Sequence, residues 1–344
     1  MNKRKIRHIA VMCSGGDAPG MNAAVRAAVR AGIYHGFQVT GVVRGYEGLI
    51  NADFIQMDSR TVGDIIQRGG TMLKTARSER FRTPEGRKTA FENMQAYEID
   101  AIVAIGGNGT FTGGNVFYEE YGIPFVGIPG TIDNDLFGTD FTIGYDTACN
   151  TVIDALDKIR DTADAHDRLF FIEVMGRDAG FIALNAGIAA GVEAILLPEE
   201  PTDIEVLIER LSKNAKKKKP SSMVIVAEGN TNGGAIEIAK KVNEKFKHYD
   251  TKVTIIGHLQ RGGSPSCFDR VLASRLGVAA VDTLANLNKY QDIGDTDTYN
   301  ANVKVMVGVE KDAIVRIPLA ETFKKENRKL INPELLEIAQ LLAL

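Results

Sequence analysis

Short apolar runs alternate with amphipathic stretches for most of the 344 residues, the pattern of strands crossing to helices and back around a parallel sheet. The apolar runs predict strands over Ile9–Cys13, Val39–Val43, Ala101–Ile105, Phe125–Ile128, Phe170–Val174, Ala194–Leu197, Met223–Ala227 and Val253–Ile256. Helical periodicity predicts helices over Met21–Tyr34, Pro84–Tyr97, Asp146–Asp161, Asp203–Lys213, Ile236–Lys247 and Phe268–Leu284. Because the two series interleave, the expected fold class is α/β, doubly wound, with largely parallel sheets flanked by helices. Asn286–Asn302 is richer in turn-forming and polar residues and reads as a surface insertion.

Ligands of such sheets bind beyond the carboxyl ends of the strands, so the strand exits carry the candidate chemistry. The first exit is Ser14-Gly15-Gly16-Asp17-Ala18-Pro19-Gly20-Met21-Asn22, where Gly15 and Gly16 let backbone N–H groups approach a phosphate at a helix N-terminus. A plain strand-to-helix turn capped by Asp17 or Asn22 has the same composition. A second glycine-rich exit, Gly106-Gly107-Asn108-Gly109-Thr110, also opens a helix, and it matches neither a Walker A loop nor the dinucleotide GxGxxG. Two such exits in one half-sheet favour an extended polyphosphate over a single phosphate.

The run Phe125–Ile128 delivers Pro129-Gly130-Thr131-Ile132-Asp133-Asn134-Asp135 to the end of a sheet. If this stretch is extended, Asp133 and Asp135 point to one side and Asn134 to the other, giving a wall that can hold a metal or accept a proton from a hydroxyl. An ordinary Asx-turn is the alternative. Further on, Arg177 sits between glycines in Met175-Gly176-Arg177-Asp178-Ala179-Gly180, which favours a ligand contact. Glu228 ends another strand and either accepts hydrogen bonds from sugar hydroxyls or caps a loop. In Gly257-His258-Leu259-Gln260-Arg261-Gly262-Gly263-Ser264-Pro265 an imidazole, a guanidinium and exposed amides suit a phosphate. Arg26 and Arg30 share one helix face, and Lys216–Lys219 either complement a helix dipole or join that pair in a second anion site.

Composition changes this picture little. With 44% apolar and 25% charged residues the chain has ample material for a core, in one large or two medium domains. A net charge of -3 gives no global basic field for nucleic acid, and the 7% aromatic content without Trp supplies few stacking platforms for single strands. Cys13, Cys149 and Cys267 are widely spaced and form no CxxC, so free thiols are expected. No apolar run approaches membrane-spanning length and none follows the basic Met1–Lys5, so the expected setting is the cytoplasm, with no membrane partner.

In order and spacing, SGGDAPGMNAAVR, RGYEGL, PGTIDND, MGRDAG, AEG and GHLQRGGSP resemble the bacterial ATP-dependent 6-phosphofructokinase family, over nearly the whole chain from Arg7 to about Leu319. The resemblance implies a glycolytic kinase that moves the γ-phosphoryl of ATP to the C1 hydroxyl of fructose 6-phosphate, with Mg²⁺. It implies a homotetramer of two-domain subunits: 1–144 plus about 260–312 binding ATP, and 145–259 plus about 313–344 binding the sugar phosphate. It places the catalytic base on Asp133, with Thr131 at the reacting region, Asp135 organising metal and base, Gly16 beside the phosphoryl group, and Arg177 neutralising the transferring group. Met175, Gly176 and Glu228 are implied to hold the sugar. His258 and Arg261, with Arg168 and Lys252 of a neighbouring subunit, are implied to meet the 6-phosphate. Gly16, Tyr46, Arg77, Ser78, Gly107, Asn108, Gly109, Thr110 and Gly113 are implied to line the ATP site. Arg26, Arg30, Arg160, Glu193, Lys217 and Lys219 match an effector site for ADP or phosphoenolpyruvate.

Pyrophosphate-using relatives typically carry Asp and Lys where this chain has Gly109 and Gly130, so the resemblance favours ATP as donor. Three positions depart from the family pattern. Asn108 stands where the family has a Mg²⁺-binding Asp, beside Thr110 for the usual Ser; Lys252 replaces an Arg; and Ser59, next to Arg60, replaces an effector-site Arg. Two unit charges about 4 Å apart are worth roughly 4 kcal/mol at an effective dielectric of ~20, so the lost carboxylate bears on rate. It leaves open a catalytically weak regulatory paralogue, beside a pyrophosphate-dependent phosphofructokinase and, among other classes, an NAD or diacylglycerol kinase.

Overall fold

The computed structural model describes residues 5–165, 168–216, 222–292, 295–327 and 329–342. In chain order the elements are β1 (His8–Cys13), α1 (Met21–Tyr34), β2 (Gln38–Val42), α2 (Gly45–Asn51), β3 (Phe54–Gln56), α3 (Pro84–Ala96), β4 (Ala101–Gly106), α4 (Asn108–Tyr121) and β5 (Phe125–Pro129). Then come α5 (Tyr145–Asp164), β6 (Arg168–Val174), α6 (Phe181–Ala190), β7 (Ala194–Leu196), α7 (Ile204–Lys216), β8 (Ser222–Ala227), α8 (Ala235–Lys245) and β9 (Asp250–Ile255). The chain ends with α9 (Cys267–Asp292), α10 (Thr296–Ala301), β10 (Lys304–Glu310), β11 (Ala313–Pro318), α11 (Leu319–Thr322) and α12 (Pro333–Leu342).

These elements form two units. The first comprises Met1–Thr131, Leu136–Gly144 and Arg261–Lys329; the second comprises Ile132–Asp135, Tyr145–Gln260 and Leu330–Leu344. The chain therefore returns to the second unit at Leu330, not near 313, because β11 pairs antiparallel with β10 and stays in the first sheet.

The first unit holds a seven-stranded sheet in the order β11-β10-β5-β4-β1-β2-β3, parallel at its centre with antiparallel strands at both edges. Strands β1 and β4 are buried along their full length, as a sheet covered on both faces requires. On one face Met12, Ile102 and Ala104 join Phe111, Phe117 and Phe125 in a core with Leu49, Met94 and Met306. Helices α1 and α9 pack closely, since a Cβ on Gly277 would lie 2.6 Å from Ala27 Cβ. Thr83 caps α3 by accepting the Gly86 N–H at 3.1 Å, with Pro84 in the first turn.

The stretch Asn286–Asn302 is not a surface insertion. Its first part completes α9 with Leu287 buried, and α10 follows with Tyr299 buried.

The second unit is built on a four-stranded, fully parallel sheet, order β7-β8-β6-β9. Leu169, Phe171, Val224 and Val226 pack with Leu207, Leu211, Ile238 and Val242 of α7 and α8. All three cysteines are free, Cys13 and Cys149 buried and Cys267 exposed. Burial pushes the Cys13 thiol up to about 12, against the lowering effect of the Thr71 hydroxyl bonded to it. Among the described residues no helix is long and apolar enough to cross a membrane.

Candidate active site

In the first sheet the strand order reverses between β1 and β4, and both glycine-rich exits leave from that point. The exits are tied to each other. Ser14 N donates to Ile105 O at 3.0 Å, and Thr110 Oγ1 donates to Ser14 O at 3.1 Å. Gly106 has no room for a side chain, since a Cβ there would be driven into Thr110 Oγ1. At the start of α4 the amides of Asn108 and Gly109 stand at a helix N-terminus, with open space beside the Gly109 Cα. That is an anion-binding arrangement from the backbone dipole and orphan N–H groups together.

The first exit carries Gly16, whose missing side chain matters. A Cβ there would lie 2.7 Å from Arg261 Nη1, and that guanidinium also donates to Asp17 O at 3.1 Å. Arg261 thus stands against the first glycine loop. Tyr46 is packed behind the second: its phenol donates to Thr110 O, its ring stacks on Phe81 at 4.0 Å, and a Cβ on Gly113 would touch the ring at 3.0 Å. Burial raises the Tyr46 phenol well above its ordinary pKa, so it stays a donor. Ser78 donates to Glu47 Oε2 at 2.5 Å, Arg80 Nη1 reaches Glu47 Oε1 at 2.7 Å, and Arg77 is exposed. Glu47 was not legible as a site residue, because its function is to hold side chains distant in sequence.

The exit of β5 brings Pro129, Gly130 and Thr131 beside β4, with Gly130 N donating to Gly106 O at 2.9 Å and a Cβ on Gly107 falling 3.7 Å from Thr131 Cβ. A Cβ on Gly130 would lie 2.8 Å from Ile105 Cγ2 and 3.1 Å from Met21 Cε, so a side chain does not fit here without displacing core atoms.

The second unit supplies the acidic and basic pair. Asp133 is 3% exposed, and Arg177 Nε lies 3.4 Å from its Oδ2. The expectation of an extended wall fails at Asn134, which is left-handed with φ 52 and turns the chain between the two carboxylates. Asp133 is buried and Asp135 half-buried, so they face unlike surroundings.

Arg177 is also left-handed, φ 52, and is held there by Glu228, whose Oε1 accepts the Gly176 N–H at 3.1 Å and the Arg177 N–H at 2.7 Å. Gly229 allows this approach, as a Cβ on it would be driven into Arg177 O. Gln260, fully buried, accepts the Met175 N–H at 3.3 Å. Strands β6, β8 and β9 are neighbours, so their exits at Met175, Glu228 and Gly257 share one end of the sheet, with His258 exposed there. Arg168 and Lys252 lie together at the opposite end of β6 and β9, both on Asp250, at 3.4 and 2.9 Å.

The residues expected to bind an effector are not gathered in the described chain. Arg160 donates to Ala190 O, and Glu193, 2% exposed, accepts the Met223 N–H. Both therefore serve backbone groups of the second unit. Arg26 and Arg30 lie on α1 of the first unit, and Lys217 and Lys219 lie outside the described residues. Ser59 is exposed, beside Asp58, whose Oδ1 accepts the Arg60 and Thr61 N–H groups.

A family model described as phosphofructokinase matches residues 8–284, carrying both glycine loops, the Asp133 turn, Arg177 and the β9 exit. The chain belongs to the phosphofructokinase family. Phosphofructokinase relatives match it end to end. The ATP-dependent 6-phosphofructokinase of Cytophaga hutchinsonii is 54% identical over 335 residues, 97% of this chain and 97% of that one. The ATP-dependent 6-phosphofructokinase 1 of Thermus thermophilus is 50% identical over 339 residues, 98% of this chain and 100% of that one. Among solved structures, phosphofructokinase from Saccharomyces cerevisiae superposes with a TM-score of 0.86 at 34% identity, covering 98% of this chain and 50% of that one.

Proposed function

We propose that this phosphofructokinase is an ATP-dependent 6-phosphofructokinase, moving the γ-phosphoryl of ATP to the C1 hydroxyl of fructose 6-phosphate to give fructose 1,6-bisphosphate and ADP. The observation that carries the reading is the buried Asp133 carboxylate in reach of Arg177, in a chain about half identical to proteins of that name.

Asp133 takes the proton from the C1 hydroxyl as that oxygen attacks phosphorus, and Arg177 meets the charge gathering on the transferring group. In phosphoryl transfer, positioning and charge stabilisation do most of the work, and the loops are made for both. Gly16, Gly107, Asn108, Gly109 and Thr110 present backbone and hydroxyl groups to the polyphosphate; Tyr46 and Gly113 form the packing behind them; Arg77 and Ser78 flank the nucleotide. Met175, Gly176 and Glu228 hold the sugar, Glu228 with Oε2, since Oε1 is committed to two amides. His258 and Arg261 take the 6-phosphate. Arg168 and Lys252, set at the far end of their strands, complete the same site from a neighbouring subunit of a homotetramer. The effector residues likewise act as a set only across subunits, on ADP or phosphoenolpyruvate.

Among the described residues no group of three or more His, Cys, Asp or Glu could hold a metal by itself. The donors on offer, Asp135 and the Asn108 amide oxygen, are hard oxygen ligands of the kind and small number that Mg²⁺ accepts when phosphates and water fill the remaining positions. When bound, Mg²⁺ supplies charge neutralisation on the phosphates. Gly109 and Gly130 favour ATP over pyrophosphate, and the crowding at Gly130 supports that choice.

An aldolase-coupled assay with fructose 6-phosphate and Mg²⁺ tests the reading. Turnover is expected with ATP and none with pyrophosphate. Absence of turnover with ATP, or a rate with pyrophosphate that exceeds it, overturns the assignment.

A further inference from the structure

Asp269 is fully buried in the first turn of α9 and has no part in the roles given above. Its Oδ1 accepts the Gly144 N–H at 2.8 Å, and its own N–H donates to Ser266 Oγ at 3.2 Å. Gly144 is left-handed, φ 99, and a Cβ there would lie 2.6 Å from Ala18 Cβ, so this backbone is pressed onto the first glycine loop. Gly20 closes on the same point: a Cβ on it would lie 2.7 Å from Ile143 Cγ2 and 3.6 Å from Asp269 Cβ.

From Gly144 the contacts run back to the β5 exit. Ile143 N donates to Pro129 O at 2.9 Å, and Ile143 bridges Gly130 in parallel register. Thr142, also fully buried, donates its hydroxyl to Thr131 O at 2.6 Å. Residues 142–144 therefore form a strap lying along the turn that begins the Asp133 loop. A buried carboxylate is costly unless its partners are well placed, and removing it leaves a buried amide unsatisfied. A carboxylate at this node fixes the strap at its one end.

We propose that Asp269 is a positioning residue: through Gly144, Ile143 and Thr142 it fixes the turn Pro129-Gly130-Thr131 against the first glycine loop and so sets where Thr131 stands for phosphoryl transfer. The kinetic consequence rests on the phosphofructokinase reading; the geometry does not.

Three variants of the full chain test it. Asp269→Asn keeps an acceptor for the Gly144 amide, Asp269→Ala removes it, and Thr142→Val deletes the hydroxyl on Thr131 O while keeping its shape. Each is compared with the parent well below its melting transition, by kcat, both KM values and amide hydrogen exchange over 129–144. Asp269→Ala and Thr142→Val lower kcat about tenfold or more with both KM values within about threefold, because the strap acts on the transition state and not on substrate binding. Exchange rises in 129–144 and not across the rest of the first unit, and Asp269→Asn stays within about threefold of the parent. If Asp269→Ala does not fold, Thr142→Val and Asp269→Asn carry the test. Folded variants with near-parental kcat overturn the assignment, as does an Asn variant as impaired as Ala, or an exchange increase spread evenly over the unit. A parent inactive on fructose 6-phosphate refutes the functional reading instead; exchange then decides alone, and unchanged protection of 129–144 in Asp269→Ala overturns the strap.

Discussion

Arg177 Nε stands 3.4 Å from Asp133 Oδ2, joining a side chain that is 61% exposed to one that is 4% exposed. The cation reaches solvent while the anion does not, so the pair places its charge asymmetrically, with the carboxylate in the low-dielectric half. As Asp133 takes up a proton its attraction for Arg177 lapses, at the stage when negative charge gathers on the phosphoryl group. Asp133→Ser is expected to lower kcat by about a hundred- to ten-thousandfold, the range of general-base loss. KM for both substrates should change little, since the base acts on the transition state. Near-parental turnover in the aldolase-coupled assay removes Asp133 from the role of base.

Glu228 and Gly229 act on the same pair from behind. One carboxylate oxygen receives the Gly176 and Arg177 amides, and the missing Gly229 side chain lets Arg177 O close down on the strand exit. Gly229→Ala leaves every charged group in place but forces the left-handed Arg177 outward. Its kcat should fall about tenfold, equivalent to ~1.4 kcal/mol of transition-state stabilisation. Glu228→Ala leaves two amides without their acceptor and should destabilise the second unit by roughly 1–3 kcal/mol. It should also raise KM for fructose 6-phosphate. Stopped-assay kinetics beside urea unfolding separate the two effects, and a Gly229→Ala enzyme with parental kcat would show that Arg177 placement is tolerant.

How much of this was legible depends on where each signal sits in the chain. All eight apolar runs became strands, because a strand buried on both faces has no polar alternation to hide it. β9 starts at Asp250, earlier than Val253, since an edge strand with exposed Asp250 and Lys252 does not read as apolar. The hairpin of β10 and β11 was missed for a local reason. Its turn is Lys311-Asp312, both left-handed at φ 49 and 66, where such turns usually announce themselves by Gly or Asn. In the site, the glycine loops and the Asp133 loop were legible because their chemistry is contiguous. Asp269 and Glu47 were not. They act through partners 125 and 31 positions away, which only the fold brings near. The shared wall of Asp133 and Asp135 failed because the backbone of a single residue, Asn134, departs from the extended geometry it required.

Asn108 opens α4 at the N-terminus that faces the polyphosphate, where the family pattern has a carboxylate. Asn108→Asp restores an anionic metal ligand, and the Mg²⁺ concentration for half-maximal rate should fall. An enzyme already competent with Asn should gain no more than about tenfold in kcat, or ~1.4 kcal/mol. A gain far beyond that, from a parent with almost no turnover, points to a regulatory protein that binds these ligands without using them.

Stability should also carry a pH signature from the first strand of the first unit. His8 is buried at the start of β1, with Nε2 2.7 Å from Thr40 Oγ1, and its pKa is lowered from 6.5, chiefly by burial, with the Tyr97 and Glu98 backbone and Asp100 pulling the other way. The native state therefore holds the imidazole neutral where the unfolded chain already binds a proton. The unfolded state binds more protons below about 6.5, so stability rises with pH through that window and is lost as pH falls through it. The contribution is complete above the unfolded pKa. His8→Gln keeps a hydrogen-bonding side chain at Thr40 but cannot titrate. Melting temperature measured from pH 5 to pH 8 should drop on the acid side for the parent and less steeply for the variant. Parallel curves would mean that groups other than His8 set the acid limit.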